Sequence, residues 1–257
     1  MVIVITGAAS GLGWAMAQRW HGQGHDLVLA DIDGAGLNDR IETLGERAVG
    51  CRMDITCRED IGQLVDVISA HYGRLDLLVN NAGITHRSKA TETSPDVMSQ
   101  VMAVNWQGPI ELTQRCLALL KAARGTVLCM GSMAGWMPVP GRAGYCAAKA
   151  ALSQYFEVLR LELEADGVHV LMVYPSFVST PIETNALGPE GEPAGHSRSV
   201  TGSVATPVSV AADIDRAWHR GRKWLFYGAR ARLGSVLWRL VPAVYQRLVR
   251  REFAGEL

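Results

Sequence analysis

The sequence predicts a doubly wound α/β fold: a parallel seven-stranded sheet with helices on both faces, in a single domain. Three observations carry this expectation. Short, nearly continuous apolar runs alternate along the chain with segments of helical period, the pattern of strands buried on both sides. A glycine-rich turn follows the first apolar run and opens the first helical segment. The chain has 257 residues, 48% hydrophobic and 19% charged, enough for one large core.

Taken in order, Val2–Thr6 is β-rich and bounded by glycine, so it reads as a strand. Residues 12–20 read as a helix, Asp26–Asp31 (DLVLAD) as the second strand and 48–54 as the third. Residues 56–72 form a clear helix. Ile61, Leu64, Val65 and Ile68 make one stripe, Thr56 and Glu59 fit a capping box, and Gly73 stops the run. Residues 75–80 read as the fourth strand. Ser94 and Pro95 look like an N-cap followed by an N1 proline, opening another helix. Thr126–Met130 and 168–174 are the fifth and sixth strands, with a helix over 143–165 between them, and 223–227 is the seventh. Right-handed crossovers then wind the sheet both ways from its centre. Residues 182–209 are rich in Gly, Pro, Ser and Thr with little periodicity, and are expected to form a lid.

Residues 1–230 are thus expected to be the main domain, and 231–257 a basic amphipathic helical extension of it. The apolar stripe Leu233, Val236, Leu237, Leu240, Val241, Val244, Tyr245, Leu248 and Val249 is divided by Pro242. Arg232, Arg239, Arg247, Arg250 and Arg251 give it a basic face. It can dock on the core, on a neighbouring subunit or on an anionic membrane surface.

Net charge is zero, with 25 basic and 25 acidic side chains. Residues 1–212 hold 15 basic and 21 acidic, and residues 213–257 hold ten basic and four acidic. The balance argues against a nucleic-acid partner. The opening apolar run is too short for a secretory signal, and no stretch approaches the ~20 apolar residues of a spanning helix. The five cysteines are scattered and never spaced as CxxC, so reduced thiols in a cytoplasmic protein are expected. His21 and His25 have helical spacing, but glycines intervene and no acid joins them, so no metal site is expected.

The turn Thr6-Gly7-Ala8-Ala9-Ser10-Gly11-Leu12-Gly13 lies between strand and helix, where glycine spacing acquires meaning. Gly7 permits the tight turn, Gly11 lets the backbone approach a pyrophosphate, and Gly13 lets helix and strand pack closely. With Ser10 and Leu12 these residues form a Rossmann-type phosphate cradle at a helix N-terminus. Asp31 ends the second strand, where a carboxylate can accept from both adenosine ribose hydroxyls and would repel a 2′-phosphate. No Arg or Lys stands at Ala8, Ala9, Ser10 or Ile32, so NAD is expected over NADP.

Tyr145 and Lys149 have i,i+4 spacing on the helix after the fifth strand, and so share a face. Ser132 follows that strand, and Asn105 lies between the fourth and fifth. With Asn80-Asn81-Ala82-Gly83 after the fourth strand, the sequence resembles the short-chain dehydrogenase/reductase family in its single-domain branch, from residue 2 to about 181. The resemblance implies that Asn105, Ser132, Tyr145 and Lys149 form a catalytic tetrad. It implies that Asp54 and Ile55 lie near adenine and that Asn81, Ala82 and Gly83 line the adenosine side. Tyr145 and Lys149 would also hold the nicotinamide ribose. Pro175 belongs to the expected cofactor site, and Thr180 and the backbone at Val178 match positions that grip the carboxamide, although Ser176 stands where the family usually has glycine. Family members often form dimers or tetramers through the long helices after strands four and five, so a homodimer or homotetramer is expected.

The implied activity is interconversion of a secondary alcohol and a ketone by hydride transfer, with Tyr145 as general acid/base. Tyrosine's ordinary pKa of ~10 is too high for a good base at neutrality. A unit charge ~4 Å away at an effective dielectric of ~20 is worth roughly 4 kcal/mol, so Lys149 and an oxidised nicotinamide are expected to favour the phenolate. Ser132 would hold the substrate oxygen, and Asn105 a water that relays the proton of Lys149 outward. Met133, Trp136, Met137 and Val139 after Ser132, with Phe177, are expected to wall an apolar pocket for a small apolar alcohol or ketone. An NADPH-dependent ketoacyl-type reductase and a non-catalytic nucleotide-sensing or scaffold protein are the rival readings. Asp31 argues against the first and the complete tetrad against the second.

Overall fold

Both faces of the central strands are covered, which is why their sequences are apolar throughout. A computed structural model describes residues 1–195 and 204–253. Part of the expected lid, 196–203, and the last four residues lie outside the described residues. Strand β1 (Val2–Thr6) is buried at every position. It is joined by β2 (Asp26–Asp31), β3 (Ala48–Arg52), β4 (Leu77–Asn80), β5 (Thr126–Met130), β6 (His169–Tyr174) and β7 (Trp224–Phe226). The order is β3-β2-β1-β4-β5-β6-β7, and every pairing is parallel.

Alternate side chains enter two cores, as the period of two requires. Val4, Val28, Leu78, Val127 and Met172 pack against α3 (Arg58–His71), α5 (Gly108–Ala123) and α6 (Ala143–Glu162). Ile5, Leu29, Val79, Leu128 and Val173 pack against α1 (Gly11–Gly22), α2 (Gly34–Leu44) and α7 (Pro207–His219). The chain winds outward from β1 to β3, then returns to β1's other side at β4 and continues to β7. The C-terminal ends of β1 and β4 therefore flank a topological switch point, where a crevice opens.

Several expectations are corrected. The third strand stops at Arg52 rather than at 54, and the capping box of Thr56 and Glu59 does not form. Asp54 intervenes: its Oδ1 accepts from the Thr56 N–H and hydroxyl, at 2.8 and 2.7 Å. Thr56 is thereby held in a turn, Cys57 becomes the N-cap of α3, and Glu59 accepts from the Cys57 thiol at 3.3 Å. By contrast Ser94 does cap α4 (Pro95–Met102), accepting from the Val97 N–H at 3.4 Å. The helix α2 was not anticipated. Asp33 caps it, but Leu37 is its one buried residue and supplies no stripe. The expected lid is shorter than 182–209, because Thr206 caps α7, whose first turn is Pro207 to Ser209.

After β7 the chain forms two helices, α8 (Ala229–Leu240) and α9 (Pro242–Glu252), separated at Pro242 as expected. Tyr245 anchors them: it is buried, stacks edge-on with Trp238, and its hydroxyl donates to the Pro138 carbonyl at 2.8 Å.

Candidate active site and dinucleotide cleft

The crevice at the switch point is a cleft of about 680 Å³. Its floor is the glycine turn. Gly7 and Gly11 have positive φ, 65° and 53°, which glycine adopts at no steric cost. A Cβ on Gly7 would lie 2.9 Å from Ala82 Cα, and one on Gly13 only 2.0 Å from the Gly7 carbonyl oxygen. The turn is stitched to β4. Thr6 Oγ1 accepts from the Asn81 and Ala82 N–H groups, both at 3.0 Å, and Asn81 Nδ2 donates to the Thr6 carbonyl at 2.9 Å. No side chain caps the first turn of α1 behind Ser10, and no acid stands in it. This cradle therefore presents a helix N-terminus to an anion and has no room for side chains, a fit to a dinucleotide pyrophosphate.

Gly7, Ser10, Gly11, Leu12, Asp31, Asp54, Ile55, Asn81, Ala82 and Gly83 all line the cleft, as do Pro175, Val178 and Thr180. Gly13 lies behind the lining, as its packing role requires. Asp31 is held firmly: Oδ2 accepts from the Ala9 N–H at 2.9 Å and Oδ1 from the Asp33 N–H at 3.0 Å. Arg40, which sequence reasoning passed over, grips the same turn from α2. Its Nε donates to the Ala9 carbonyl at 3.0 Å while its guanidinium lies over Trp14, 4.8 Å from the ring centroid.

At the other end the four expected catalytic residues come together. Ser132 leaves β5 and its Oγ accepts from the Ala134 N–H at 3.2 Å. Tyr145 and Lys149 project from the first turns of α6, and Lys149 Nζ lies 5.8 Å from the Tyr145 ring centroid. The ammonium is buried and donates to the Met130 carbonyl at 2.9 Å. Burial lowers its pKa to about 8. Burial likewise raises the pKa of Tyr145, against the pull of the Ser132 hydroxyl and the Arg142 guanidinium. The expected lowering is therefore not achieved by the chain's own charges, because desolvation of the phenol outweighs them.

Asn105 sits in a π-helical turn, Ala103–Gln107, between α4 and α5. Such turns recur at functional sites, and the sequence carries no mark of this one. Asn105 Nδ2 donates to the Ile84 and Val101 carbonyls, at 2.8 and 2.9 Å. Its Oδ1 is buried without a partner. A Cβ on Gly83 would meet this oxygen at 2.8 Å and Lys149 Nζ at 3.7 Å, so the two groups converge on one spot.

Met133, Met137, Val139 and Phe177 line this end, as expected. Trp136 is a correction: it is not among the lining residues. It packs edge-on against Tyr174 and Phe226, 5.0 and 5.1 Å between centroids, with the Arg239 guanidinium over its ring at 4.3 Å. It thus seats α8 on the core. The wall also includes residues that sequence reasoning missed. Arg142 and Glu183 add charge, and Gly234, Tyr245, Val249 and Phe253 of the C-terminal segment close the outer side. Glu183 pairs with Arg87 at 3.1 Å and Arg142 at 3.8 Å.

A family model described as short chain dehydrogenase matches residues 1–190. The chain belongs to the short-chain dehydrogenase family. It is 32% identical over 259 residues to a dehydrogenase/reductase SDR family member 7B of Danio rerio, covering 96% of this chain and 84% of that protein. It is 34% identical over 240 residues to an 11-beta-hydroxysteroid dehydrogenase A of Sesamum indicum, covering 87% and 67%. A short-chain dehydrogenase/reductase of Burkholderia phymatum, solved in complex with NAD, superposes with a TM-score of 0.84 at 25% identity, covering 95% of this chain and 94% of that one. The family places the protein among nucleotide-dependent oxidoreductases of Rossmann-type fold.

Proposed function

We propose that the protein interconverts an apolar secondary alcohol and the corresponding ketone, using NAD in preference to NADP. The observation that carries this reading is the single cleft with two chemically distinct ends: Asp31 beside a glycine cradle at one, and Tyr145, Ser132 and Lys149 at the other.

A nicotinamide dinucleotide bound there supplies the hydride acceptor or donor, and its oxidised ring adds positive charge beside Tyr145. The chain's residues do the rest. Asp31 accepts from the ribose hydroxyls and opposes a 2′-phosphate. No Lys or Arg lines the adenosine end among the described residues. Ser132 donates to the substrate oxygen as charge develops on it. Tyr145 takes the proton of the alcohol, or returns one to the ketone, at its phenolic oxygen. Lys149 holds that oxygen's charge and passes a proton toward Asn105 Oδ1, whose free lone pairs suit a relaying water. Met133, Met137 and Phe177 give the reacting end an apolar surface beside the paired Arg142 and Glu183, which suits an apolar substrate.

The C-terminal hairpin supports a lipophilic substrate. One side of it walls the cleft through Tyr245, Val249 and Phe253. Its other side exposes Leu233, Val236, Leu240, Val241, Val244 and Leu248, with Arg247, Arg250 and Arg251 exposed on the same α9. In the same reading this face rests on an anionic lipid surface, and the substrate enters from there. Among the described residues no helix is long and apolar enough to cross a membrane. Pairing of subunits through α5 and α6 belongs to the reading as well, supported by the exposed Val158 and Leu161 on α6.

The test is nicotinamide absorbance with a panel of apolar secondary alcohols and ketones and both cofactors. Turnover with NAD above that with NADP is the expected result. A preference for NADPH with ketoacyl thioesters, or no turnover across the panel, contradicts it.

A further inference from the structure

His86 is fully buried, and both its ring nitrogens are engaged. Nε2 lies 2.9 Å from the Gly144 backbone nitrogen, and Nδ1 lies 3.1 Å from Ser88 Oγ. The neighbours fix the direction of these bonds. Thr93 Oγ1 donates its one proton to the Lys89 carbonyl at 2.8 Å. The Ser88 hydroxyl, 2.7 Å from Thr93 Oγ1, must therefore donate to it. Ser88 Oγ is then free to accept from Nδ1–H, and Nε2 is left as the lone pair that accepts the Gly144 N–H. The network selects a neutral imidazole in one tautomer.

The Gly144 N–H is one of the donors that the first turn of a helix leaves without an internal partner. In α6 the N-cap residue, Arg142, makes no side-chain cap hydrogen bond. His86 supplies from outside the acceptor that Ser, Thr, Asp or Asn usually provides. The next residue in the chain is Tyr145. The fit is close, since a Cβ on Gly144 would lie 2.6 Å from Met98 Sδ and 3.3 Å from His86 Nε2. The same segment is tied to the loop over the cleft. Arg87 N–H donates to the Leu187 carbonyl at 2.7 Å, and Leu187 N–H to the Thr85 carbonyl at 2.9 Å.

We propose that His86 is a positioning residue, a neutral acceptor that caps α6 and fixes where the Tyr145 hydroxyl stands relative to Ser132 and Lys149. The inference rests on Tyr145 being the proton-transferring group. It has a consequence in pH. A proton on Nε2 would set N–H against N–H at Gly144 and break the cap. Arg142, on the turn before α6, faces the imidazole, with Glu183 and Arg87 beyond it. From α4 the packed neighbour is Met98, and that helix's one charge, Asp96, is exposed. Burial and the Arg142 charge both hold His86 below its ordinary pKa, so the cap is kept at neutral pH and lost on the acid side.

The test reads the Tyr145 phenolate directly, by ultraviolet difference absorbance of the full chain saturated with NAD, with Tyr145→Phe as the blank. His86→Ala is expected to move this titration up by about one pH unit, with NAD affinity changed by less than about twofold. His86→Gln, whose amide can accept from Gly144 and donate to Ser88, is expected to restore it. A wild-type titration in His86→Ala overturns the proposal. So does a shift that comes with an equal loss of NAD binding and that His86→Gln does not rescue, because His86 is then a core residue only. A titration that Tyr145→Phe fails to remove is a different result: it overturns the role of Tyr145 beneath the proposal.

Discussion

At Lys149 a buried ammonium donates to the Met130 carbonyl. Its pKa of about 8 means that the folded state holds the charged form at a penalty. Below pH ~8 both folded and unfolded chains carry the proton and that penalty is full size; between ~8 and ~10 the folded chain loses its proton first and stability recovers. Lys149→Met is therefore expected to abolish turnover and yet stabilise the fold by about 2 kcal/mol at neutral pH, less at pH ~9.5. Urea unfolding at the two pH values checks this, and a destabilised variant at both contradicts it. In the proposed function Asp31 has two duties, because the carboxylate proposed to bind the ribose also holds the Ala9 N–H. Asp31→Ala should weaken NAD binding by about 30-fold, roughly 2 kcal/mol, and NADP binding less, as fluorescence titration with both would show. The YxxxK spacing and Asp31 were legible because each rests on a local rule. The orphaned Asn105 oxygen and the capping imidazole of His86 were not, because both depend on partners distant in sequence.

Among the elements, the strands were the most legible, since a two-sided burial demands an unbroken apolar run; Val2–Thr6, Asp26–Asp31 and Thr126–Met130 match residue for residue. Helix α2 escaped notice because one buried leucine makes no stripe. Thr56 and Glu59 misled because Asp54 takes the Thr56 N–H that a capping glutamate would accept, and turns the Thr56 hydroxyl toward itself. Trp136 misled because an aromatic beside Ser132, the serine proposed to be catalytic, reads the same in a pocket and in a core; the ring contacts with Tyr174 and Phe226 decide it. The C-terminal hairpin is fastened at Tyr245, between Pro138 and the cleft, as well as by Arg239 over Trp136. Tyr245→Ala is expected to raise KM for apolar substrates several-fold, about 1 kcal/mol, and to leave NAD affinity unchanged, because the adenosine end is remote from it. Equal effects on both would show that the hairpin supports the whole cleft.

For the whole molecule, zero net charge conceals an acidic body and a basic end, and residues of the hairpin in that end line the cleft. Co-sedimentation of the full chain with phosphatidylserine-containing vesicles is expected, weakening with salt and lost in a Leu240→Glu, Leu248→Glu double variant. If those changes instead reduce the oligomeric state and no vesicle binding exists, the face is a subunit contact. The central claim is that one cleft binds a dinucleotide and moves a proton through Tyr145. Tyr145→Phe tests it most directly, by NAD binding and by absorbance at ~340 nm in the same preparation. Retained NAD binding with turnover reduced by about a thousandfold or more is the predicted result; undiminished turnover would contradict it.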